Sequence, residues 1–201
     1  MALPRDLQQQ RLDIPELDLG GGLGIVYNNE QDICLKSYAT LIRDIIHPLN
    51  TDIIIEPGRL LVGNAGLLLS RVTYIKENEG RYYMILDGGM NDLMRPALYD
   101  AFHPIRHIDH RTGAIRKYDI VGPVCETGDT FSRDRPIPES RPGDLITIMA
   151  SGAYGFVMAS DYNTRPKPPE ILVHGDNHAI IRPRDDIHAI IEKDTVPDWI
   201  S

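Results

Sequence analysis

Near Gly63 the chain changes grammar, and few architectures accommodate both halves. Before that point Leu17-Asp18-Leu19 runs into Gly20-Gly21-Gly22, a strand that stops at a loop of bare backbone. Leu35, Tyr38, Ala39, Ile42, Ile45 and Ile46 then recur at helical spacing, and Pro48 ends the pattern. Asp52-Ile53-Ile54-Ile55 is a β-branched run closed by Glu56-Pro57-Gly58-Arg59, a second strand with a turn. Strand, loop, helix, strand, loop is the order of a parallel α/β sheet or barrel. Residues 3–12 read as the end of a preceding helix. After Gly63 the segments are short, and Gly, Pro, Asn and Asp separate them. Strands are predicted over 67–76 and 81–87, flanking a turn at 77–80, then over 105–110, 118–124, 144–150, 170–174 and 179–182. Such spacing predicts a mostly antiparallel sandwich or barrel. Asp185-Asp186 before Ile187, Ile190 and Ile191 predicts a capped closing helix.

Size sharpens this reading. A parallel (β/α)8 barrel takes about 250 residues, and the first part holds only two βα units. Residues 1–63 are therefore expected to be the last two units of such a barrel, with the chain starting inside a fold. Residues 64–201 are expected to form the β domain. Apolar residues make up 42% and charged residues 25% of the 201, as in soluble globular chains. A net charge of -8 argues against nucleic acid or an anionic membrane surface as the main partner. The first 15 residues lack the apolar centre of a signal peptide. The most apolar stretch, 60–69, is interrupted by Gly63, Asn64 and Gly66 and is too short to span a bilayer. Two cysteines in unlike contexts, Cys34 and Cys125, make no disulfide framework, so a reducing cytoplasm is the expected setting.

Two consecutive strand ends carry anion-binding chemistry. Gly20-Gly21-Gly22-Leu23-Gly24 can present backbone N–H groups to an anion. A dinucleotide loop is the rival, but it needs a helix opening from the glycines, and Val26-Tyr27-Asn28-Asn29 reads as loop. Gly58 can expose further donors, and Arg59 offers a planar fork to carboxylate or phosphate. Barrel enzymes often hold phosphate with the loops after their last two strands. Val124-Cys125-Glu126-Thr127-Gly128-Asp129 combines a thiol proton donor with a carboxylate suited to an ammonium. The alternative there is a buried cysteine before a polar turn. In 150–155, Tyr154 stands among residues with little bulk, open to a ligand ring or packed on the core. His103, His107 and His110 lack the cysteines or acids that would complete a metal shell, so no metal is expected. His174, His178 and His188 read as surface residues.

LDLGGGLGI, IIIEPGR, LMRPALYDAFHPI, GPVCETGD and ASGAYGFVMASDYNTRP occur in an order and spacing that resemble the diaminopimelate decarboxylases. These are pyridoxal-phosphate enzymes of the alanine-racemase-like group. The likeness runs to Val196-Pro197-Asp198-Trp199, with CETGD standing where the family usually has CESGD. The resemblance implies decarboxylation of meso-2,6-diaminopimelate to L-lysine, a step of lysine biosynthesis. It implies a cofactor phosphate held around Gly21, Gly22, Glu56, Gly58 and Arg59, with Glu56 near the pyridinium nitrogen. Arg59, Arg95 and Tyr99 would grip the substrate's distal carboxylate, Glu126 its distal ammonium, and Tyr154 both cofactor and substrate. Cys125 would be the proton donor. Cys125 and Glu126 would come from the neighbouring subunit, which implies a homodimer.

Relatives acting on ornithine or arginine share EPGR but usually carry aspartate after the cysteine. Glu126, with Arg95 and Tyr99, thus favours diaminopimelate. The family also holds its cofactor through a lysine on an early barrel strand. Lys36, Lys76, Lys117, Lys167 and Lys193 all lie in other contexts. The chain alone is therefore expected to be inactive, either as the C-terminal portion of an enzyme or as a non-catalytic dimerisation or binding fragment.

Overall fold

A computed structural model describes residues 4, 6, 9, 10 and 13–200, so much of the helix end expected over 3–12 lies outside the described residues. Strand β1 (Glu16–Asp18) and strand β2 (Asp52–Ile54) pair in parallel, with Leu17 opposite Ile53. Helix α1 (Leu35–Ile46) connects them and buries Ile46. A single 3-10 turn at His47–Leu49 follows, and Asn50 reverses the chain at a φ of 49°. Residues 19–34 contain no helix or strand, so the glycines do not open a helix. Glu56-Pro57-Gly58-Arg59 does more than turn. Gly58 opens the short helix α2 (Gly58–Val62), with Pro57 before it at a φ of −80°, near the value its ring imposes.

The second part is one six-stranded sheet. It consists of β3 (Leu68–Asn78), β4 (Arg81–Leu86), β5 (Ile105–His107), β6 (Ile115–Val121), β7 (Thr130–Pro138) and β8 (Leu145–Ile148), in the order β5-β8-β3-β4-β6-β7. The β3–β4 hairpin closes in two residues. Asn78 faces Arg81, and Glu79 and Gly80 sit at φ of 51° and 79°, the left-handed pair such a turn needs. One pairing departs from the expected antiparallel pattern: β4 and β6 run parallel. The chain between them makes helix α3 (Arg95–Tyr99) and crosses to the far edge as β5. Strand β7 carries no sequence signal, because Arg133, Asp134, Arg135 and two prolines hide its pattern. At a sheet edge prolines cost little, and β7 buries Phe131 and Ile137.

The sheet rolls until its edges approach each other. His107 of β5 places Nε2 2.9 Å from Ser140 Oγ and 3.3 Å from the Pro138 carbonyl at the end of β7. The result is a nearly closed, barrel-like sheet rather than a two-layer sandwich. Its interior is filled by Val72, Met84, Leu86, Leu93, Tyr118, Ile120, Phe131, Ile146 and Ile148. Strands β9 (Glu170–His174) and β10 (Asn177–Arg182) form a separate hairpin. Helix α4 (Ile187–Ile191) follows as expected, with the Asp186 carboxylate accepting the His188 N–H at 3.0 Å.

Candidate active site

The parallel pair β1–β2 delivers its two following loops to one place. Leu19 N–H donates to the Ile54 carbonyl at 2.9 Å, and Glu56 N–H to the Gly20 carbonyl at 2.9 Å. A Cβ at Gly21 would stand 2.6 Å from the Glu56 carbonyl oxygen, so only glycine allows this approach. Gly22, at a φ of 85°, and Gly58 both face open space. The loops thus present backbone with no side chain in the way.

The 150–155 loop is clamped onto this region. Ser151 N–H donates to the Gly66 carbonyl at 2.9 Å, and Gly152 N–H to the Gly63 carbonyl at 3.1 Å. Any side chain at Gly152 would overlap the Val62 carbonyl oxygen. Tyr154 is thereby held at a φ of 58°, a strained value for a bulky residue. The Arg59 guanidinium lies over its ring, 5.5 Å from the centroid. The glycine loop, the Arg59 segment and Tyr154 are therefore neighbours, although they are distant in sequence.

The Cys125 turn is a separate construction. Asp129 is 3% exposed and accepts N–H groups from Met90 at 2.6 Å and Val124 at 2.7 Å. Burial pushes its carboxyl above the ordinary range, and those two backbone donors oppose the shift. With Asp129 as the pin, Cys125 and Glu126 are displayed at the surface. Cys125 is exposed, which removes the buried-cysteine alternative. Tyr162 Oη donates to Glu126 Oε2 at 3.4 Å. Among the described residues no hydrogen bond or ion pair joins Cys125 or Glu126 to Arg59 or Tyr154.

Helix α3 carries Arg95 and Tyr99 differently. Tyr99 is exposed, whereas Arg95 is 7% exposed. Arg95 Nη1 donates to Tyr27 Oη at 2.9 Å and to His103 Nε2 at 3.0 Å. Nothing in the sequence marks Tyr27 and His103 as partners of Arg95, because the loop after β1 and the segment after α3 meet only in the fold. Arg165 was also missed. Its Nε donates to Asn91 Oδ1 at 3.0 Å and its Nη2 to the Asp87 carbonyl at 2.7 Å, tying the 160–165 segment to the loop after β4. Asp92, in that loop, is pushed above the ordinary carboxylate range by burial.

A rolled sheet that offers a thiol–carboxylate turn and an arginine–tyrosine stack beside two glycine loops defines a class. Residues 24–152 match the pyridoxal-dependent decarboxylase C-terminal sheet domain, and the chain belongs to that family. Among curated relatives it is 44% identical to diaminopimelate decarboxylase of Pseudomonas aeruginosa, over 89% of this chain and 43% of that protein. It is 40% identical to the enzyme of the same name from Aquifex aeolicus, over 96% of this chain and 46% of the other. The chain therefore spans less than half the length of these relatives. A solved diaminopimelate decarboxylase from M. jannaschii, in complex with L-lysine, superposes with a TM-score of 0.93 at 36% identity, covering all of this chain and 48% of that one. A lysine/ornithine decarboxylase from Vibrio vulnificus, complexed with cadaverine, gives 0.72 at 25% identity, over 81% of this chain and 44% of that one.

Proposed function

We propose that this chain is the C-terminal portion of a diaminopimelate decarboxylase, acting on meso-2,6-diaminopimelate to give L-lysine in the cytoplasm. The supporting observation is the Arg59–Tyr154 stack, set beside a loop pair whose glycines leave backbone bare. In this reading residues 1–63 are the last two units of a (β/α)8 barrel and 64–201 the β domain. The greater likeness to the lysine-bound decarboxylase than to the lysine/ornithine enzyme supports the choice of substrate.

The residues present fit pyridoxal phosphate. The open space over Gly22 and Gly58 suits a phosphate that takes backbone N–H donors, and Arg59 adds a cation. When bound, this cofactor supplies an electron-withdrawing ring that stabilises the charge left on the reacting carbon. The chain's own residues do the rest. Gly21, Gly22, Gly58 and Arg59 hold the phosphate end, and the Glu56 carboxylate keeps the ring nitrogen protonated. Arg59, Arg95 and Tyr99 receive the substrate's distal carboxylate, and Glu126 receives its distal ammonium. Tyr154 touches both cofactor and substrate. The exposed Cys125 thiol donates a proton to the carbon that has lost carbon dioxide. Cys125 and Glu126 serve the site of a second copy, so the working unit is a homodimer. None of the five lysines serves as the cofactor's anchor, which a barrel half must provide.

The test is carbon dioxide release from meso-diaminopimelate. The chain is co-expressed with the lysine-bearing barrel half of a relative such as the Pseudomonas aeruginosa enzyme. Release that needs both halves, and falls at least a hundredfold in Cys125→Ala with cofactor binding unchanged, is expected. Equal release by the barrel half alone would refute the assignment.

A further inference from the structure

Arg95 is buried, and among the described residues no carboxylate balances its charge. Buried arginines are ordinarily paired, yet Arg95 makes no ion pair among the described residues. Its only side-chain hydrogen bonds there run from Nη1, to Tyr27 Oη at 2.9 Å and His103 Nε2 at 3.0 Å. The guanidinium also lies over the Tyr27 ring at 5.1 Å, and the Tyr27 and His103 rings meet edge-on at 5.5 Å. His103, fully buried, is fixed in turn. Its Nδ1 is 2.9 Å from the Met149 carbonyl oxygen, which can only accept. Nδ1 must therefore carry the proton, and Nε2, facing an arginine that can only donate, must be bare. His103 is a neutral imidazole of a single tautomer. Burial, with Arg95 and Arg135 nearby, also holds its pKa below the usual histidine range.

This arrangement uses one nitrogen of the fork and leaves the other edge free. Nε and Nη2 have no partner among the described residues, and neither is sealed from solvent. They form the edge that receives a carboxylate through two parallel hydrogen bonds. We propose that Tyr27 and His103 are positioning residues that grip Arg95 by Nη1 and so aim its Nε–Nη2 edge at a carboxylate ligand. On the function proposed above, that ligand is the carboxylate surviving at the unreacted end of diaminopimelate, which L-lysine retains and cadaverine lacks. Any acid placed beside Arg95 would neutralise it and compete for this edge. A neutral imidazole and a phenol hold the cation while leaving its charge intact.

The experiment is side-chain nitrogen NMR on the full 201-residue chain, with L-lysine and cadaverine as probes at matched ionic strength. His103 should show a protonated Nδ1 and a bare Nε2, and Arg95 an ordered Nε–H signal. L-lysine should shift that signal and cadaverine should leave it in place. His103→Leu should broaden the Arg95 signal and weaken lysine binding about tenfold. Tyr27→Phe, which removes one oxygen and keeps the ring, should weaken it several-fold. His103→Gln, which retains an acceptor and a donor, should restore much of the loss. Lysine binding of equal strength in wild type, His103→Leu and Tyr27→Phe would overturn the positioning role and leave the decarboxylase reading standing. An ordered Arg95 that depends on His103 but ignores L-lysine would overturn the carboxylate assignment, and with it that reading of Arg95, while the positioning stands.

Discussion

Asp144 shows how much a single carboxylate carries in this sheet. Both its oxygens accept from the Arg111 guanidinium, and one also takes the Arg141 N–H at 2.8 Å. The Arg111 hydrogen bonds hold its pKa down, from 3.8 to about 2. Because the folded value is the lower one, the stabilisation is complete above about pH 4 and is lost as the pH falls towards 2. Allowing for solvent at Arg111, it amounts to roughly 1–2 kcal/mol. Asp144→Asn should lose that much at neutral pH and flatten the acid limb of a urea-unfolding series; an unchanged acid limb would contradict the account. Glycines supply a second test at this scale. Gly58→Ala meets nothing within 4 Å and should change stability by less than about 0.5 kcal/mol. It should nevertheless weaken the retention of pyridoxal phosphate in the assembled enzyme. Gly152→Ala must displace the Val62 carbonyl and should cost about 1–3 kcal/mol. Equal stability losses in the two variants, by thermal melting, would contradict the site geometry. The sequence marks both glycines as breaks after strands or in loops, and the structure makes Gly58 the first residue of helix α2. The sequence could not show which had backbone against it and which had open space.

Element by element, what was legible depended on whether a local signal decided the outcome. Helix α1 and strand β2 declared themselves through periodicity and a β-branched run, and the β3–β4 turn through Glu79-Gly80. Strand β7 was hidden because its place at the edge, which makes prolines and charges tolerable, is a fact about its neighbours. The parallel β4–β6 pairing was hidden for the same reason. Arg95 is singled out in the sequence only by the resemblance, and its grip by Tyr27 and His103 depends on the fold bringing a loop after β1 against α3. The elements also differ in support. Strands β3, β4, β6 and β8 surround the buried core, whereas Ile53, Ile54 and Ile55 around β2 are exposed. Hydrogen exchange on the chain alone should therefore release the amides of β1 and β2 well before those of β4 and β6. Equal protection would show that the parallel pair is stable without further cover.

At the scale of the whole molecule, the described residues bring the two glycine loops, Arg59 and Tyr154 together and display Cys125 and Glu126 elsewhere on the surface. Exposed apolar side chains are spread over α1, β2 and the β9–β10 hairpin, including Leu41, Ile54, Val173 and Ile181. This fits a chain that spans less than half of its relatives' length. The proposed function requires a preference for a substrate with a carboxylate and an ammonium at its far end. It is tested most directly by kcat/KM for meso-diaminopimelate against ornithine, using the chain assembled with a lysine-bearing barrel half. Loss of one charge-assisted contact at the far end costs about 2–5 kcal/mol, so diaminopimelate should be favoured at least thirtyfold. Comparable turnover of ornithine would contradict the claim.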